Sequence, residues 1–227
     1  MNNKEGKVIV LGRMGYMSAY DLQKELVNSR IRGEVSDILM LLEHKPVITL
    51  GRGTHNGNIL VSERELKKEG IEIYRIDRGG DVTFHGPGQL IGYPIFALQH
   101  YGKDVHQYLR KLEEVIIHTL RHWGIPGVRK PGFTGVWVGN KKIASIGVGI
   151  RRWVSYHGFA LNVKSEPGFS IPIYPCGLKG ENYTSLEKIL GKEVALEEVV
   201  PKIIESFTKV FGLKWKEIGW EGVFQSG

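Results

Sequence analysis

The segment at residues 78–93 reads RGGDVTFHGPGQLIGY and contains five glycines. Glycine loses more conformational freedom on folding than any other residue. It is therefore retained at such density where the chain needs a positive φ or where another group packs against bare backbone. The segment ends in an apolar run that is typical of a buried strand. We expect tight turns here that bring unshielded backbone close to a substrate.

Composition limits the class of protein. The chain has 227 residues, of which 41% are hydrophobic and 24% are charged, as is typical of globular proteins. No linker, repeat or low-complexity tract interrupts it, so we interpret residues 1–227 as a single domain. No apolar run approaches the ~18 residues that span a bilayer, and the first residues lack the apolar region of a secretory signal. These features predict a cytoplasmic protein with no membrane partner.

The single cysteine and the net charge narrow the function classes further. One cysteine, Cys176, excludes an internal disulfide and a thiolate metal cluster within the chain, which leaves a buried side chain or a reactive thiol. The net charge of +7 favours an acidic partner. Because the basic residues are dispersed and no nucleic-acid-binding motif is present, we do not expect that partner to be nucleic acid.

Hydrophobic periodicity predicts four helices with strands between them. The helices are expected at about 18–31 with Ser18 as cap, after a capping box formed by Ser62 and Glu65, at 105–123 with Asp104 as cap, and at 196–211. The strands are expected at 38–44, 46–52, 71–76, 134–139, 142–150 and 154–163. Because strands and helices occur in groups, the predicted fold class is α+β, with one large mixed, mostly antiparallel sheet and packed helices.

Three motifs agree in order and spacing with one protein family. They are RGGDVTFHGPGQLIGY, KKIASIGVGIRRWVSYHGFALNV at 141–163 and IPIYPCG at 171–177. Together they resemble the lipoyl(octanoyl) transferases over residues 51–177. The resemblance implies the α+β fold that the catalytic domains of biotin and lipoate protein ligases share. It also implies transfer of an octanoyl or lipoyl group from acyl carrier protein to a lysine of a lipoyl domain, the first step of protein lipoylation.

The same resemblance implies a catalytic pair. In the family, the cysteine of the PCG motif carries the acyl group as a thioester and the lysine of the KIA motif activates it, which assigns Cys176 and Lys142. Lys141 is adjacent, but successive strand residues point to opposite faces, so one of the two lysines faces the thiol and we assign Lys142. A free cysteine has a pKa of about 8.5, and a nearby ammonium would raise its thiolate fraction.

Small residues in these motifs are expected to leave space for the acyl chain and the thioester. The predicted substrate-binding residues are Arg78, Gly79, Gly80, Asp81, Val82, Thr83, Phe84, His85, Ser145, Ile146, Gly147, Gly158, Phe159 and Ala160. No metal and no cofactor are expected. Glu113 and Glu114 are interpreted as part of an exposed helix face.

The family resemblance also implies the partners. The expected donor is octanoyl-acyl carrier protein, and the expected acceptors are the lipoyl domains of 2-oxoacid dehydrogenase complexes and the glycine cleavage H protein. Because such partners are acidic, basic residues near the motifs are docking candidates. These are Arg78, Arg129, Lys130, Arg151, Arg152 and Lys179.

Two alternatives remain open. The first is an ATP-dependent lipoate or biotin protein ligase on the same fold, which would activate a free acid and would need no cysteine. The second is a basic binding protein without catalysis, which only the net charge of +7 favours.

Overall fold

The computed structural model describes residues 4–54, 63–165 and 183–223 of the chain. The helices in these ranges are α1 (Tyr16–Arg32), α2 (Glu63–Lys68), α3 (Val105–Arg121), α4 (Leu186–Leu190) and α5 (Leu196–Phe211). None of the described helices is long and apolar enough to cross a membrane. The cytoplasmic location expected from the sequence stays a prediction.

The described strands form two sheets. The strands are β1 (Lys4–Met14), β2 (Asp37–His44), β3 (Val47–Leu50), β4 (Glu72–Arg75), β5 (Val82–His85), β6 (Gln89–Ile95), β7 (Val128–Lys130), β8 (Phe133–Val138), β9 (Lys141–Arg151), β10 (Val154–Asn162) and β11 (Leu213–Glu217). The larger sheet has the order β11-β1-β2-β6-β10-β9-β8-β7. In it β1 pairs in parallel with β2 and β11, whereas the other neighbours are antiparallel. The predicted α+β fold with a mixed, mostly antiparallel sheet is confirmed.

Helices cover both faces of the large sheet. Alternate residues of β2 point to opposite faces, so Leu39 and Leu41 join an apolar cluster with α3 and α5. Ile38 and Met40 join a second cluster, with α1, on the other face. A strand that is buried on both faces has a continuous apolar sequence, which explains the run ILMLL. Strands β9 and β10, which carry the second motif, therefore lie in a sheet that is packed on both sides.

The helix ends agree with the prediction for α3 but not for α1. The carboxylate of Asp104 accepts a hydrogen bond from the backbone N–H of Gln107 at 3.0 Å, which confirms the predicted cap of α3. Helix α1 begins at Tyr16, two residues before the predicted start, and its cap is Gly15 rather than Ser18. The earlier start matters for the site, because it makes Tyr16 part of the first turn of the helix.

A second, three-stranded sheet is not predicted by the sequence. In it β3 lies between β4, with which it is parallel, and β5, with which it is antiparallel. Strands β3 and β4 fall within the predicted strands 46–52 and 71–76, but β5 has only four residues, too few for a distinctive pattern, and nothing local indicates that the three pair. Ile48, Leu66, Val82 and Phe84 form its own apolar core. The predicted cap Ser62, just before α2, lies outside the described residues.

Candidate active site

A cavity of about 260 Å³ lies between the loop at residues 78–81 and strands β9 and β10. Lys142 and twelve of the fourteen predicted substrate-binding residues line it. These twelve are Arg78, Gly79, Gly80, Asp81, Thr83, His85, Ser145, Ile146, Gly147, Gly158, Phe159 and Ala160. The cavity thus lies where the small sheet meets the large one. Contact of these residues with a substrate stays a prediction.

The other two predicted residues, Val82 and Phe84, do not line the cavity. Their side chains pack in the core of the small sheet. Along β5 the side chains alternate between faces, so Thr83 and His85 point to the cavity while their neighbours point away. The resemblance to the family assigns every residue of this strand to the substrate site. Because alternate side chains of the strand point to opposite faces, only half of them reach the cavity.

The glycines of the cavity wall are required by close packing of backbone on backbone. A Cβ atom on Gly147 would lie 2.7 Å from the carbonyl oxygen of Gly79. The N–H of Gly79 donates to the carbonyl of Val148 at 3.0 Å. Gly80 has a φ of +88°, which residues with a side chain rarely adopt. The glycine segment therefore fits directly against β9, whether or not a substrate is bound.

Lys142 is buried in the cavity wall, whereas Lys141 is exposed. The alternation used to choose between the two lysines therefore agrees with the structure. The Nζ atom of Lys142 lies 5.2 Å from the centre of the ring of Trp137, its partner across β8 and β9. The face of an indole ring attracts a cation, so this contact stabilises the charged ammonium inside the protein.

Cys176 lies outside the described residues, but the chain after it returns to Lys142. Tyr183 forms a β-bridge with Lys142, and the N–H of Thr184 donates to the carbonyl of Lys142 at 3.0 Å. The side chain of Asn162, at the end of β10, donates to the carbonyl of Thr184 at 3.0 Å. The described residues that follow the segment with Cys176 are therefore bonded to the strand of the predicted catalytic lysine.

The expectation that Glu113 lies on an exposed helix face is wrong, because its side chain is fully buried. One carboxylate oxygen accepts a hydrogen bond from the backbone N–H of Gly135 at 3.1 Å. The other accepts hydrogen bonds from Arg110 at 2.7 Å and from Arg129 at 3.0 Å. A Cβ atom on Gly135 would lie 2.7 Å from Cε of Lys142. Glu113 thus holds the stretch of β8 against which the lysine side chain packs.

Arg78 is also buried, and its expected role in docking a partner protein is wrong. Its Nη2 atom donates to the carbonyl oxygen and to the hydroxyl of Thr49, both at 2.8 Å. A guanidinium held inside the protein cannot contact a second protein. Arg151 and Arg152 are exposed, but they lie at the end of β9 that is remote from Lys142.

Asp77 directly precedes the glycine loop and was not predicted as a site residue. Its Oδ1 atom accepts hydrogen bonds from Tyr20 and from Nε2–H of His157, both at 3.0 Å, and its Oδ2 atom accepts one from Tyr156 at 2.5 Å. His157, in β10, has a φ of +53°. The hydrogen bond from His157, followed by those from the two tyrosines, holds the pKa of Asp77 well below its usual range. Asp77 therefore ties the loop at residues 78–81 to α1 and β10.

Two buried histidines near the cavity are neutral. Burial lowers the pKa of His44 to about 4 and that of His85 to about 3. Nδ1–H of His44 donates to the carbonyl of Met14 at 3.3 Å. In a neutral ring Nε2 then carries no proton, so it accepts a hydrogen bond from the hydroxyl of Tyr93 at 2.7 Å. Nδ1 of His85 lies 3.1 Å from the side-chain oxygen of Gln89, which makes Nδ1 the protonated nitrogen there as well.

Several lining residues were not predicted because no motif contains them or because their role in the motif was ambiguous. They are Tyr16, Tyr93, Gly132, Phe133, Thr134 and His157. Tyr93 ends the first motif and His157 lies inside the second, so both could have been assigned from their place in the sequence. Tyr16 belongs to α1, far away in sequence, and no local signal connects it to the cavity.

Residues 15–208 match the family model described as the lipoyl protein ligase A/B catalytic domain. The chain is also 45% identical, over 216 residues, to the octanoyltransferase of Caldicellulosiruptor saccharolyticus, and the match covers 94% of this chain and 92% of that one. This chain belongs to the octanoyltransferase family. The family resemblance drawn from the three motifs is confirmed.

Solved structures share the fold at low sequence identity. A lipoate protein ligase from Thermoplasma acidophilum, described with its E2 lipoyl domain, has a TM-score of 0.73 at 18% identity, covering 95% of this chain and 87% of that one. The biotin protein ligase of Aquifex aeolicus in complex with biotin and ATP has a TM-score of 0.56 at 14% identity, covering 91% and 70%. The expected similarity to both ligase folds is confirmed at the level of the fold.

The first prediction concerns Asp77. Asp77→Asn removes the charge that three donors share, so the glycine loop should loosen and octanoyl transfer should fall by at least about tenfold, since small misplacements of a substrate-positioning group are costly. The measurement is kcat/KM of the variant. The matched control is Asp21→Asn, an exposed carboxylate of α1 paired with Lys24, which should transfer like the parent. Equal activity of both variants would show that the loop does not depend on Asp77.

The second prediction concerns pH and stability. His44 and His85 have a pKa of 6.5 when unfolded and of about 4 and about 3 when folded, so the unfolded chain binds more protons below pH 6.5. Their contribution to stability is therefore present above pH 6.5 and lost as the pH falls towards 4. Urea unfolding at pH 7 and pH 5 should show this loss. His85→Gln should reduce the slope by up to about 1.4 kcal/mol per pH unit. An unchanged slope would mean that His85 is charged in the folded protein.

Proposed function

We propose that residues 1–227 form a single catalytic domain that transfers an octanoyl group from octanoyl-acyl carrier protein to the ε-amino group of a lysine in a lipoyl domain. The reaction proceeds through a thioester on Cys176. The observation that carries the proposal is the buried Lys142 in the wall of a cavity lined by the small residues of two motifs. Membership of the octanoyltransferase family supports the acyl group and the reaction class.

In the first half-reaction the thiolate of Cys176 attacks the carbonyl carbon of the donor thioester. The bond from that carbon to the sulfur of the carrier protein breaks, the ammonium of Lys142 protonates that sulfur, and the carrier leaves as a thiol while Lys142 becomes neutral. One thioester replaces another, so the step needs no nucleotide. The ammonium of Lys142, held over the ring of Trp137, favours the thiolate form of a cysteine close to it.

In the second half-reaction the lysine amine of the lipoyl domain attacks the thioester on the enzyme. The carbon–sulfur bond breaks, Cys176 is released as a thiolate, and the product is an amide, which is more stable than a thioester. The attacking amine must lose a proton, and Lys142 in its neutral form accepts that proton as general base. Lys142 thus begins the first half-reaction as a charged ammonium and the second as a neutral amine.

The cavity supports recognition of an acyl chain without a charged group. Ser145, Gly147, Gly158 and Ala160 all line the cavity. The short side chains of Ser145 and Ala160 leave a channel along β9 and β10 that starts near Lys142, whereas backbone of Gly79 and of Gly92 fills the places that side chains on Gly147 and Gly158 would take. Each buried methylene contributes about 0.8 kcal/mol, so burying most of an octanoyl chain contributes several kcal/mol to binding.

Exposed lysines beside the cavity suit acidic partners. Lys130 lies just before the lining residues 132–134, Lys141 precedes Lys142, and the side chain of Lys164 lies near Gly88 at the end of β10. A rim of positive charge speeds the encounter with acidic carrier proteins and lipoyl domains more than it increases final affinity. This rim replaces Arg78 in the predicted docking surface. Lys179, also predicted, lies outside the described residues.

The test of the proposed function is intact mass spectrometry of the enzyme after incubation with octanoyl-acyl carrier protein, without ATP or magnesium. We expect an adduct of one octanoyl group that hydroxylamine removes and that a lipoyl domain discharges. Cys176→Ala should form no adduct. Lys142→Ala should form it at least about 100-fold more slowly, the usual range for loss of a general acid or base.

Two outcomes would contradict the proposal. An adduct that persists in Cys176→Ala would place the acyl group elsewhere on the enzyme. Modification of the lipoyl domain that requires ATP and free octanoate would instead indicate an acyl-adenylate ligase. The matched control is Lys214→Ala, an exposed lysine of β11 at the edge of the large sheet that is remote from β9, and it should leave adduct formation unchanged.

A further inference from the structure

Tyr16 lines the cavity, and its hydroxyl is buried without a hydrogen bond to any described residue. The side chain is only 1% exposed, so the protein itself leaves a buried polar atom unsatisfied. Removing a hydroxyl from water without giving it a partner destabilises the folded protein. A phenylalanine would fill the same space without that penalty. The hydroxyl is therefore available to hydrogen-bond a polar atom of a ligand.

Neighbouring polar groups do not supply the partner, because each is already engaged. The hydroxyl of Tyr93 donates to Nε2 of His44 at 2.7 Å. The hydroxyl of Tyr20, whose ring stacks on that of Tyr16, donates to Asp77 at 3.0 Å. Within the described part of the chain, the Tyr16 hydroxyl is thus the member of this aromatic group that is left for a ligand.

The cavity extends along β9 away from Lys142. Gly147 is five residues further along β9 than Lys142, which corresponds to about 16 Å in an extended strand. His157 lies beside this distant end, since it pairs with Val148. The cavity therefore has a reaction end at Lys142 and a far end near His157.

Ring stacking connects Tyr16 to the far end. The ring of Tyr20 stacks on that of His157 with centres 5.5 Å apart, and the ring of Tyr16 stacks on Tyr20 at 6.2 Å. An acyl chain whose carbonyl lies at Lys142 would run along β9 towards these rings. Its last carbons, and not its thioester, would approach the Tyr16 hydroxyl.

We propose that Tyr16 is a specificity residue that binds a polar atom at the far end of the acyl chain, so that this site accepts medium-chain acyl groups with a terminal hydrogen-bonding group. The inference rests on the proposed function, because it takes the acyl chain to lie between Lys142 and Tyr16. A plain octanoyl chain also fits this channel, but its methyl end leaves the hydroxyl of Tyr16 without a partner. A terminal hydroxyl on the chain provides that partner.

The test compares two donors, octanoyl-acyl carrier protein and 8-hydroxyoctanoyl-acyl carrier protein, with the parent enzyme and with Tyr16→Phe. The quantity measured is the ratio of kcat/KM for the hydroxylated donor to kcat/KM for the plain donor. Tyr16→Phe should lower this ratio about 5- to 10-fold, as expected for loss of one buried hydrogen bond. The matched control is Tyr108→Phe, a buried tyrosine of α3 that bonds Ser155 outside the cavity, and it should leave the ratio unchanged.

The outcomes separate this inference from the proposed function. If the parent and Tyr16→Phe have the same ratio, the inference is overturned while transfer of the plain octanoyl group still supports the proposed function. If neither donor is used by the parent enzyme, the proposed function itself fails. A fall in the ratio with both tyrosine variants would also overturn the inference, because the effect would then not be specific to Tyr16.

Discussion

The packing of the glycine loop directly on β9 is the constraint on which the candidate site depends. The carbonyl of Gly79 lies where a side chain on Gly147 would be, and its N–H bonds to the carbonyl of Val148. This contact brings the small sheet against the large one and closes one wall of the cavity. Asp77 then fixes the start of the loop to α1 and β10. The shape of the cavity therefore depends on two backbones that approach more closely than side chains would permit.

The two ends of the cavity differ in their electrostatics. At one end Lys142 provides a buried ammonium over an indole ring. An ammonium there would stabilise a nearby thiolate and could donate a proton to a leaving group. Away from Lys142 the charges of Arg78 and Asp77 are held by hydrogen bonds within the protein, and burial keeps His44 and His85 neutral. An acyl chain with a reactive thioester at one terminus and an uncharged tail at the other matches this distribution. The same contrast makes the unsatisfied hydroxyl of Tyr16 informative, because the polar groups around it are already hydrogen-bonded.

The sequence predicts the parts of this protein that depend on local pattern. Helix α5 and strand β2 follow from periodicity and apolar runs, and the lysine of the cavity follows from a motif and the alternation of a strand. What the sequence misses depends on contacts between distant segments. Tyr16 reaches the cavity only because α1 packs across β10, and Glu113 is buried only because β8 and two arginines surround its carboxylate. Strand β5, with four residues, is too short to be recognised without its neighbours.

The most direct test of the central constraint is kcat/KM for octanoyl transfer by Gly147→Ala. Its added methyl group would lie 2.7 Å from the carbonyl of Gly79, so the loop must move and transfer should fall by at least about tenfold. Gly219→Ala is the matched control, because a Cβ atom there meets no other atom within 4 Å, and it should leave transfer unchanged. Activity of Gly147→Ala equal to that of the control would contradict the account, since the approach of loop and strand would then not determine the site.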